Sequence, residues 1–404
     1  MTFTGKRILL GVSGGIAAYK AAELARRLVS SGAKVKVVMT RAAREFVTPL
    51  TFQALTGEKV AAAMFGPESE PLEHVALGQD ADALVLAPAT ANLIGKMAAG
   101  IGDDLLTTIL LAANKPILVC PAMNCEMWAN PAVQENVVRL QARGIAVLQP
   151  EAGELACGAT GYGRLPEPET ILEALAKLVS IQDLAGRRIL VTAGPTHEDL
   201  DPVRFLTNRS SGKQGYALAK VARRRGGEVC LISGPTHLLA PYGVERLEVR
   251  SAREMLDAVL ARFPKSDALL MAAAVGDYHP GGAAAHKIKR GGEDLTVHLT
   301  QNPDILKAVA GLKKKQVVVG FAAETRDLEA AARRKLADKG LDLIVANEVN
   351  RPDSGFAVDT NEVTIIGSKN FLKPLPLLSK EEVAEKVLDQ VAALLPPQRS
   401  GGGA

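Results

Sequence analysis

The sequence predicts an α/β protein built from two doubly wound, Rossmann-like domains. Short apolar runs alternate with stretches of helical period along the 404 residues, which is typical of parallel strands joined by crossover helices. The length suggests two or three domains. The pattern also restarts after residues 181–187, where a charged pair leads into a new apolar strand and a glycine-containing turn. We therefore expect domains at 1–180 and 181–395, and a glycine-rich, disordered tail at 396–404.

The elements follow in order along the chain. Residues 6–40 form one βαβ unit: an apolar run, a Gly/Ser turn, a helix-period stretch and a Val-rich run. Short apolar runs without alternation indicate strands buried on both faces of a parallel sheet. In the first domain such runs lie at 83–88, 116–122 and 145–150, and in the second at 187–194, 268–275, 317–324 and 342–349.

Composition excludes several classes of function. The net charge of +4 is small and is not concentrated in one basic block, so we expect no nucleic-acid partner. The four cysteines form no CxxC pair, which argues against a zinc site or a disulfide framework. No apolar run reaches the roughly 18 residues of a membrane span. We expect a cytoplasmic protein that binds no membrane.

Ligands of doubly wound sheets bind beyond the carboxyl ends of the strands, so the loops there are the candidate sites. The glycine-rich turn at 11–16 either binds a phosphate or simply lets strand and helix pack closely. Residues 90–92 cap a helix or hold a polar ligand. His74 stands among apolar residues, where a structural role competes with a chemical one. Cys157 lies in a glycine-rich loop, which we expect to be a mobile flap.

Five stretches of the first domain resemble the flavin-dependent cysteine decarboxylases, specifically phosphopantothenoylcysteine decarboxylase. They are GVSGGIAAYK, EHVAL around His74, PATANLIGKMAAGIGDDLLTT, PAMNCEMW at 121–128 and ACGATGYGR around Cys157. The resemblance implies that FMN oxidises the cysteine side chain of the substrate to a thioaldehyde, which then loses CO2. It implies an FMN site made of Ser13, Gly14, Gly15, Ile16, Thr40, Thr90, Ala91 and Asn92.

The resemblance also implies roles for three catalytic residues. His74 acts near the flavin as a base or an orienting group, and Asn124 holds the substrate carboxylate through its amide. Cys157 donates the proton to the enethiolate that remains after CO2 is lost. The only tryptophan, Trp128, and the neighbouring Met127 are expected to anchor the loop that carries Asn124.

In the second domain, the stretch at 192–219 contains Gly212 and Lys213 but does not fit a P-loop, because Thr207 replaces the first glycine and Gln214 replaces the Ser or Thr. Instead the domain resembles the phosphopantothenate–cysteine ligases of the bacterial bifunctional type. The matching stretches are AGPTHEDLDPVRFLTNRSSGKQG, AAAVGDY, KIK, NPDIL and GFAAET. The resemblance implies that CTP activates 4′-phosphopantothenate as an acyl-cytidylate, which the amine of cysteine then attacks.

The ligase resemblance implies a second set of site residues. Asn208 binds the acyl intermediate, Lys287 assists the steps around it, and Mg²⁺, bound at Asp277, bridges phosphates. The implied nucleotide contacts are Ala272, Ala273, Asp277, Lys287, Pro303, Asp304, Ile305, Leu306, Phe321, Lys335 and Lys339. Lys335 and Lys339 also fit an i, i+4 pair on a solvated helix, an interpretation that residue pattern alone favours.

These resemblances predict a bifunctional enzyme of coenzyme A synthesis that takes 4′-phosphopantothenate, cysteine and CTP, and they imply a large homo-oligomer of trimers and dimers. One alternative is a flavin-binding regulatory protein of the same fold without turnover. Another is an NAD-dependent dehydrogenase. That enzyme requires GxGxxG and an acidic residue after the second strand, where this chain has Arg41.

Overall fold

The computed structural model describes residues 3–65, 72–154, 158–290, 295–324, 328–348, 358–368 and 371–397. The chain divides into two compact units, Met1–Ser180 and Ile181–Ala404. Each contains a parallel sheet with helices on both faces, which confirms the predicted fold class.

The first unit alternates strands and helices as the sequence pattern predicts. Its strands are β1 (Arg7–Val12), β2 (Lys34–Met39), β3 (Ala83–Ala89), β4 (Ile117–Pro121), β5 (Ala146–Val147), β6 (Glu151–Glu154) and β7 (Thr160–Arg164). Its helices are α1 (Ala18–Ser30), α2 (Pro49–Thr56), α3 (Glu73–Asp80), α4 (Ala91–Ala99), α5 (Leu105–Ala112), α6 (Cys125–Ala129), α7 (Pro131–Ala142) and α8 (Pro168–Val179), with a 3₁₀ turn at Ala42–Glu45.

The main sheet of this unit has the order β2-β1-β3-β4-β5, and all its strands are parallel. One apolar cluster packs α1 and α8 on one face, and a second packs α4, α5 and α7 on the other. The strand order reverses between β1 and β3, because the chain moves outward to β2 and then returns past β1. A crevice for ligands opens at such a reversal.

The stretch after β5 contains two short strands, and the predicted mobile flap around Cys157 falls on residues 155–157, outside the described residues. Strands β6 and β7 form an antiparallel hairpin, and the amide of Met123 donates to the carbonyl of Gly163 at 3.0 Å. A Cβ at Gly163 would lie 2.2 Å from the Met123 carbonyl oxygen. Glycine at this position therefore lets the hairpin pack directly against the loop that carries Asn124.

The second unit repeats the architecture with a larger sheet. Its strands are β8 (Arg188–Ala193), β9 (Glu198–Asp199), β10 (Phe205–Leu206), β11 (Glu228–Ser233), β12 (Glu245–Glu248), β13 (Ala268–Met271), β14 (Tyr278–Pro280), β15 (Leu299–Gln301), β16 (Val317–Glu324), β17 (Leu343–Glu348), β18 (Thr360–Asn361), β19 (Val363–Gly367), β20 (Leu372–Pro374) and β21 (Leu378–Ser379). Its helices are α9 (Lys213–Arg224), α10 (Ala252–Arg262), α11 (Ile305–Ala310), α12 (Leu328–Asp338) and α13 (Lys380–Leu394), with a 3₁₀ turn at Phe263–Lys265.

The main sheet of the second unit has the order β12-β11-β8-β13-β16-β17-β19-β20. The first six strands are parallel, and β19 pairs antiparallel with both β17 and β20. The parallel part has the Rossmann order 3-2-1-4-5-6 in chain sequence. Helices α9 and α13 cover one face, while α10, α11 and α12 cover the other. The order reverses between β8 and β13.

Two predicted strands are shorter than the apolar runs that predict them. β5 comprises only Ala146 and Val147, at the edge of its sheet. β13 ends at Met271, although the apolar run continues to Val275. Beyond Met271 the amide of Ala273 donates to the Thr192 hydroxyl at 3.2 Å and that of Ala274 to the Gly194 carbonyl at 3.0 Å. The chain therefore leaves the sheet because these loop groups satisfy its amides.

Helix α9 lies very close to β8, and the approach depends on Gly215. A Cβ at this position would lie 2.5 Å from the Cβ of Ala193 and 2.8 Å from the Thr192 carbonyl oxygen. We expect Gly215→Ala to lower the free energy of unfolding by about 1–3 kcal/mol, because overpacking at a close contact forces backbone to move. Denaturant unfolding measures the loss, and hydrogen exchange should speed up in β8 and α9.

The matched control is Gly282→Ala, because a Cβ at Gly282 meets nothing within 4 Å. Equal stability of the two variants would contradict this account of the packing.

Candidate active sites

A cavity of about 640 Å³ opens in the first unit, where the strand order reverses. The loops after β1, β2 and β3 line it, together with α4, the start of α5 and one residue of α6. The lining residues are Ser13, Gly14, Thr40, Arg41, Ala42, Glu45, Thr90, Ala91, Asn92, Leu93, Lys96, Asp103, Asp104 and Met127. The structure thus brings together the predicted residues Ser13, Gly14, Thr40 and 90–92. Gly15 and Ile16 continue the same turn, and the Ile16 side chain is exposed.

Ser13 joins the two loops at the reversal. Its buried hydroxyl donates to the carbonyl of Pro88 at 2.7 Å and accepts from the amide of Thr90 at 3.0 Å. The Thr90 hydroxyl in turn caps α4 by accepting from the amide of Leu93. These bonds fix the positions of the two loops relative to each other, so Ser13 and Thr90 have a structural role at the cavity wall whatever the ligand.

Gly14 is required by a close approach between loops. A Cβ there would lie 2.4 Å from the Cβ of Ala42, in the 3₁₀ turn after β2. At Gly15, by contrast, a Cβ would meet only the methyl group of Thr90, at 3.7 Å. The glycine turn therefore serves packing at Gly14, whereas Gly15 has room for a side chain, and phosphate binding by this turn stays a prediction.

Charged residues that sequence reasoning did not single out also line this cavity. Lys96 binds Asp103 at 2.7 Å and lies 3.6 Å from Asp104. The hydrogen bond with Asp103 raises the pKa of Lys96 and lowers that of Asp103. Arg41 and Glu45 lie on the turn after β2. Lys96, Asp103 and Asp104 lie within the stretch at 88–108 that carries the resemblance, whereas only their position after a strand end could have indicated Arg41 and Glu45.

Asn124 is the N-cap residue of α6, and its cap fixes the orientation of its amide. The side-chain oxygen accepts from the amide of Glu126 at 2.8 Å. The nitrogen, which is the donor that a carboxylate requires, therefore points away from the helix end. Trp128 is buried and anchors the loop as expected, whereas Met127 is half exposed and lines the cavity instead of anchoring the loop.

The remaining two catalytic predictions have different outcomes. Cys157 lies outside the described residues, between the two strands of the hairpin that packs against the Asn124 loop. His74 is half-buried in α3, which packs against α5. It is not among the residues that line the 640 Å³ cavity.

A second cavity, of about 480 Å³, opens in the second unit at the reversal between β8 and β13. It is lined by the loops after these strands, by 301–306, by the start of α9 and by polar residues near α13. The lining includes the predicted residues Asn208, Ala272, Ala273, Asp277, Pro303, Asp304, Ile305, Leu306, Phe321 and Lys339.

Asn208 connects the two sides of this cavity. Its side-chain oxygen accepts from the amide of Ser210 at 3.0 Å, and its nitrogen donates to the carbonyl of Ala274. The loop after β8 is thereby attached to the chain that leaves β13. One of the two hydrogens on the nitrogen serves Ala274, so the other can serve a ligand.

The turn before α11 is held by its neighbours on the same cavity. Asn302 donates through its side chain to the carbonyl of Gly276 at 2.8 Å, and its amide donates to the carbonyl of Asp277 at the same distance. Asp304 caps α11 and lies 3.4 Å from the ammonium group of Lys339. This ion pair shows that Lys339 faces the cavity, not only solvent.

Lys287 and Lys335 do not line this cavity and are exposed. The segment of Lys287 is nevertheless held through Ile288, whose amide donates to the buried carboxylate of Asp201 at 3.1 Å. The guanidinium of Arg204 and three backbone amides hold the pKa of Asp201 well below its usual range. These bonds connect the Lys287 segment to the loop after β8.

Several lining residues were missed by sequence reasoning. They are Ser210, Ser211, Lys213, Gln214, Asn302, Asn347, Asn361 and Lys380. The first four belong to the stretch that fails as a P-loop, and it still forms a cavity wall. Nothing in the local sequence marks Lys380, which comes from the start of the last helix.

Across the described residues, no helix is both long and apolar enough to cross a membrane. Within the same residues, no cluster of three or more His, Cys, Asp or Glu side chains could hold a metal ion. Asp277 shares its cavity with Asp304, which pairs with Lys339.

Comparison with known proteins assigns both units. A family model described as flavoprotein matches residues 2–180, and one described as DNA/pantothenate metabolism flavoprotein C-terminal domain matches residues 184–395. The Coenzyme A biosynthesis bifunctional protein CoaBC of Vibrio parahaemolyticus is 48% identical over 398 residues, which are 98% of this chain and 100% of that protein. Its Escherichia coli K12 counterpart is 46% identical over 397 residues, 97% of this chain and 98% of that protein.

A solved structure of the C-terminal domain of a CoaBC protein is 42% identical to this chain, with a TM-score of 0.46, and covers 53% of this chain and 97% of that one. Because two CoaBC proteins are 46% or more identical over nearly the full length, and a family model matches residues 184–395, the chain belongs to the family of coenzyme A biosynthesis bifunctional proteins.

Proposed function

We propose that the chain carries out two consecutive steps of coenzyme A synthesis. The second unit joins 4′-phosphopantothenate to cysteine with CTP, and the first unit decarboxylates the product, 4′-phosphopantothenoylcysteine, to 4′-phosphopantetheine with FMN. The observation that carries the proposal is the position of the two cavities. Each lies at the strand reversal of its own sheet and is lined by the motif residues of one of the two activities.

The first cavity fits a flavin mononucleotide. Sheets with the order 2-1-3-4-5 bind FMN at the reversal between their first and third strands, where this cavity lies. Its volume of about 640 Å³ is within the range of about 300–1,000 Å³ typical of ligand pockets. The turn at 13–16, Thr40 and residues 90–92 would hold the cofactor. When bound, FMN would accept a hydride from the cysteine side chain of the substrate.

The side chains of this unit would then orient the substrate and move protons. The Asn124 amide nitrogen, directed by its cap, would donate to the substrate carboxylate and release it as CO2 leaves. Cys157 would protonate the enethiolate, and His74 would serve as a base or an orienting group. His74 does not line the cavity. Its role therefore requires that the bound ligands extend beyond the lining residues of that cavity.

The second cavity fits a nucleotide and an acyl intermediate. Asn208 would bind the acyl-cytidylate through its second amide hydrogen, and Lys287 would assist once its segment reaches the ligand. Ala272, Ala273, Phe321, Lys335, Lys339 and the turn at 303–306 would contact CTP, with Mg²⁺ at Asp277 and the phosphates. Assembly into trimers and dimers stays a prediction of the resemblance, and a cytoplasmic location stays a prediction from composition.

The alternative is a flavin-binding regulatory protein without turnover. It predicts bound flavin but no release of CO2. Release of CO2 therefore separates the two proposals. The variants that follow change one half of the chain at a time.

Asn124→Asp keeps the acceptor that caps α6 but replaces the amide donor with a negative charge. We expect decarboxylation to slow by about 100-fold or more, because a donor to the reacting carboxylate is lost and a repulsion is added. CO2 release from supplied 4′-phosphopantothenoylcysteine measures the effect, while the flavin absorbance should be unchanged. The control is Asn130→Asp, since Asn130 caps α7 in the same way, at 3.0 Å from the amide of Ala132. Equal CO2 release from both variants would refute the role of Asn124.

Asn208→Asp places a carboxylate against the carbonyl of Ala274, which removes the attachment between the two loops. We expect pyrophosphate release to fall by about 10-fold or more, because a hydrogen-bonded pair becomes a repulsive one. Flavin content and decarboxylation of supplied intermediate should stay at the wild-type level. The assignment fails if decarboxylation falls while ligation persists.

A further inference from the structure

Two lysines outside the predicted site residues share the wall of the 480 Å³ cavity. Lys213 is the first residue of α9, and Lys380 is the first residue of α13. Lys380 is only 6% exposed, and the side chain of Lys213 is 33% exposed. The carboxamide of Gln214 donates to the backbone carbonyl of Lys380 at 3.2 Å, so α9 and α13 hold the two lysines together.

Charged groups near Lys380 lie on α9, just before β18 and on its own helix, α13. Lys213 on α9 repels it, while Asp359, just before β18, attracts it but pairs with Lys213 at 2.6 Å. On its own helix, Glu381 is paired with Lys220 and Arg224 of α9, at 2.7 and 2.8 Å. Glu382 accepts hydrogen bonds from Ser379 in the capping box. Among the described residues, the Asp359 carboxylate thus lies near both ammonium groups at the cavity wall.

Burial lowers the pKa of Lys380 to about 8, and repulsion from Lys213 adds to the effect. A lysine buried beside a like charge costs folding free energy. Residues that lower the stability of a protein in this way are expected at functional sites. An anionic oxygen at this wall would reverse the cost, because it would stabilise both charges.

We propose that Lys380 and Lys213 form a phosphoryl-binding subsite of the ligase cavity. The inference rests on the proposed ligase function and adds to it Lys380, which lies outside the stretches that carry the resemblance, and a role for Lys213, which lies within one of them. The phosphoryl group comes either from the nucleoside triphosphate or from 4′-phosphopantothenate, and the chemistry of recognition is the same for both. Lys380 is the buried cation of the pair, and Lys213 is the accessible one.

The subsite couples ligand binding to proton uptake. Without ligand, about half of the Lys380 side chains are neutral near pH 8. A bound phosphoryl group raises the pKa of Lys380, so binding at that pH takes up about 0.5 proton per site. Lys380 is charged in both states well below pH 8, so its contribution to affinity is complete there. The contribution is lost as the pH rises from about 8 towards the pKa of the complex.

Isothermal titration calorimetry of the full-length chain, in buffers of different ionisation enthalpy, measures this uptake. The probes are CTP with Mg²⁺, and separately 4′-phosphopantothenate, each without the other substrates so that no turnover occurs. At about pH 8 and above, both phosphate types are past their second pKa of about 6 and add little proton exchange. The probe whose binding is accompanied by proton uptake identifies the source of the phosphoryl group.

Three variants locate the effect. Lys380→Met should bind the identified probe at least about tenfold more weakly at pH 7.5 and take up no proton near pH 8. Lys380→Arg should keep more of the affinity but not the proton uptake, because arginine stays charged. Lys386→Met is the control, since Lys386 lies on the exposed side of the same helix, 4.0 Å from Asp389.

Stability supplies a second readout, which a purely structural role would not give. The pKa of Lys380 is lowered from 10.5 to about 8 on folding. The unfolded chain therefore binds more protons between these values, and the ligand-free protein gains stability as the pH rises through that window. Lys380→Met should abolish this gain and be more stable than the wild type at pH 7. A structural lysine would instead make the variant less stable.

The outcomes separate the inference from the proposed function. If the wild type binds neither probe, the ligase proposal itself fails. If it binds a probe without proton uptake near pH 8, or if the uptake persists in Lys380→Arg, the ligase proposal stands and the Lys380 subsite is refuted. The wild-type measurement alone decides this even if Lys380→Met does not fold.

Discussion

The reversal of strand order in each sheet is the constraint on which the rest of the structure depends. In each sheet the first strand of the chain lies in the interior, and strands are added on both sides of it. Because crossovers are right-handed, helices added in the two directions lie on opposite faces of the sheet. The loops after the two strands at the reversal therefore lead away from each other. The crevice between them opens at β1 and β3 in the first unit and at β8 and β13 in the second. Both cavities lie there.

Hydrogen bonds across each reversal determine the shape of the crevice. In the first unit, the Ser13 hydroxyl joins the loops after β1 and β3. In the second, the Thr192 hydroxyl of β8 and the Asn208 amide of the loop after β8 bind the chain that leaves β13. The polar side chains that resemble ligand contacts in the sequence are thus partly occupied by the protein itself. What they offer a ligand is the backbone they position and the hydrogens that remain.

The architecture could be predicted from the sequence because the period of the apolar residues and the order of strands and helices are both visible locally along the chain. Buried runs such as β16 and helix-period stretches such as α1 need no distant partner to be recognised. The early end of β13 was missed because loop groups around Gly194 satisfy its next amides, and loop contacts leave no periodicity. The β6–β7 hairpin was missed because a glycine-rich segment is typical of a flap as much as of close packing.

The sites could be predicted only where a motif is contiguous. Asn208 and the 302–306 turn were found by resemblance, and both lie on the cavity. Lys380 has no motif, since it reaches the cavity from the last helix, and Arg41 reaches the first cavity in the same unmarked way, whereas Lys96 lies within a quoted stretch but was given no role. The charges of the two crevices also differ in kind. Lys96 lies near two carboxylates, whereas the Asp359 carboxylate pairs with Lys213 and also attracts the buried Lys380.

The central claim is that one chain holds two catalytic crevices that act in sequence. A coupled assay tests it most directly: the purified chain is incubated with 4′-phosphopantothenate, cysteine, CTP and magnesium, and pyrophosphate and CO2 are measured together. Our account predicts that both are released in equal amounts, with CO2 appearing only after pyrophosphate. Pyrophosphate without CO2 from a flavin-loaded preparation, or no release of either, would contradict it.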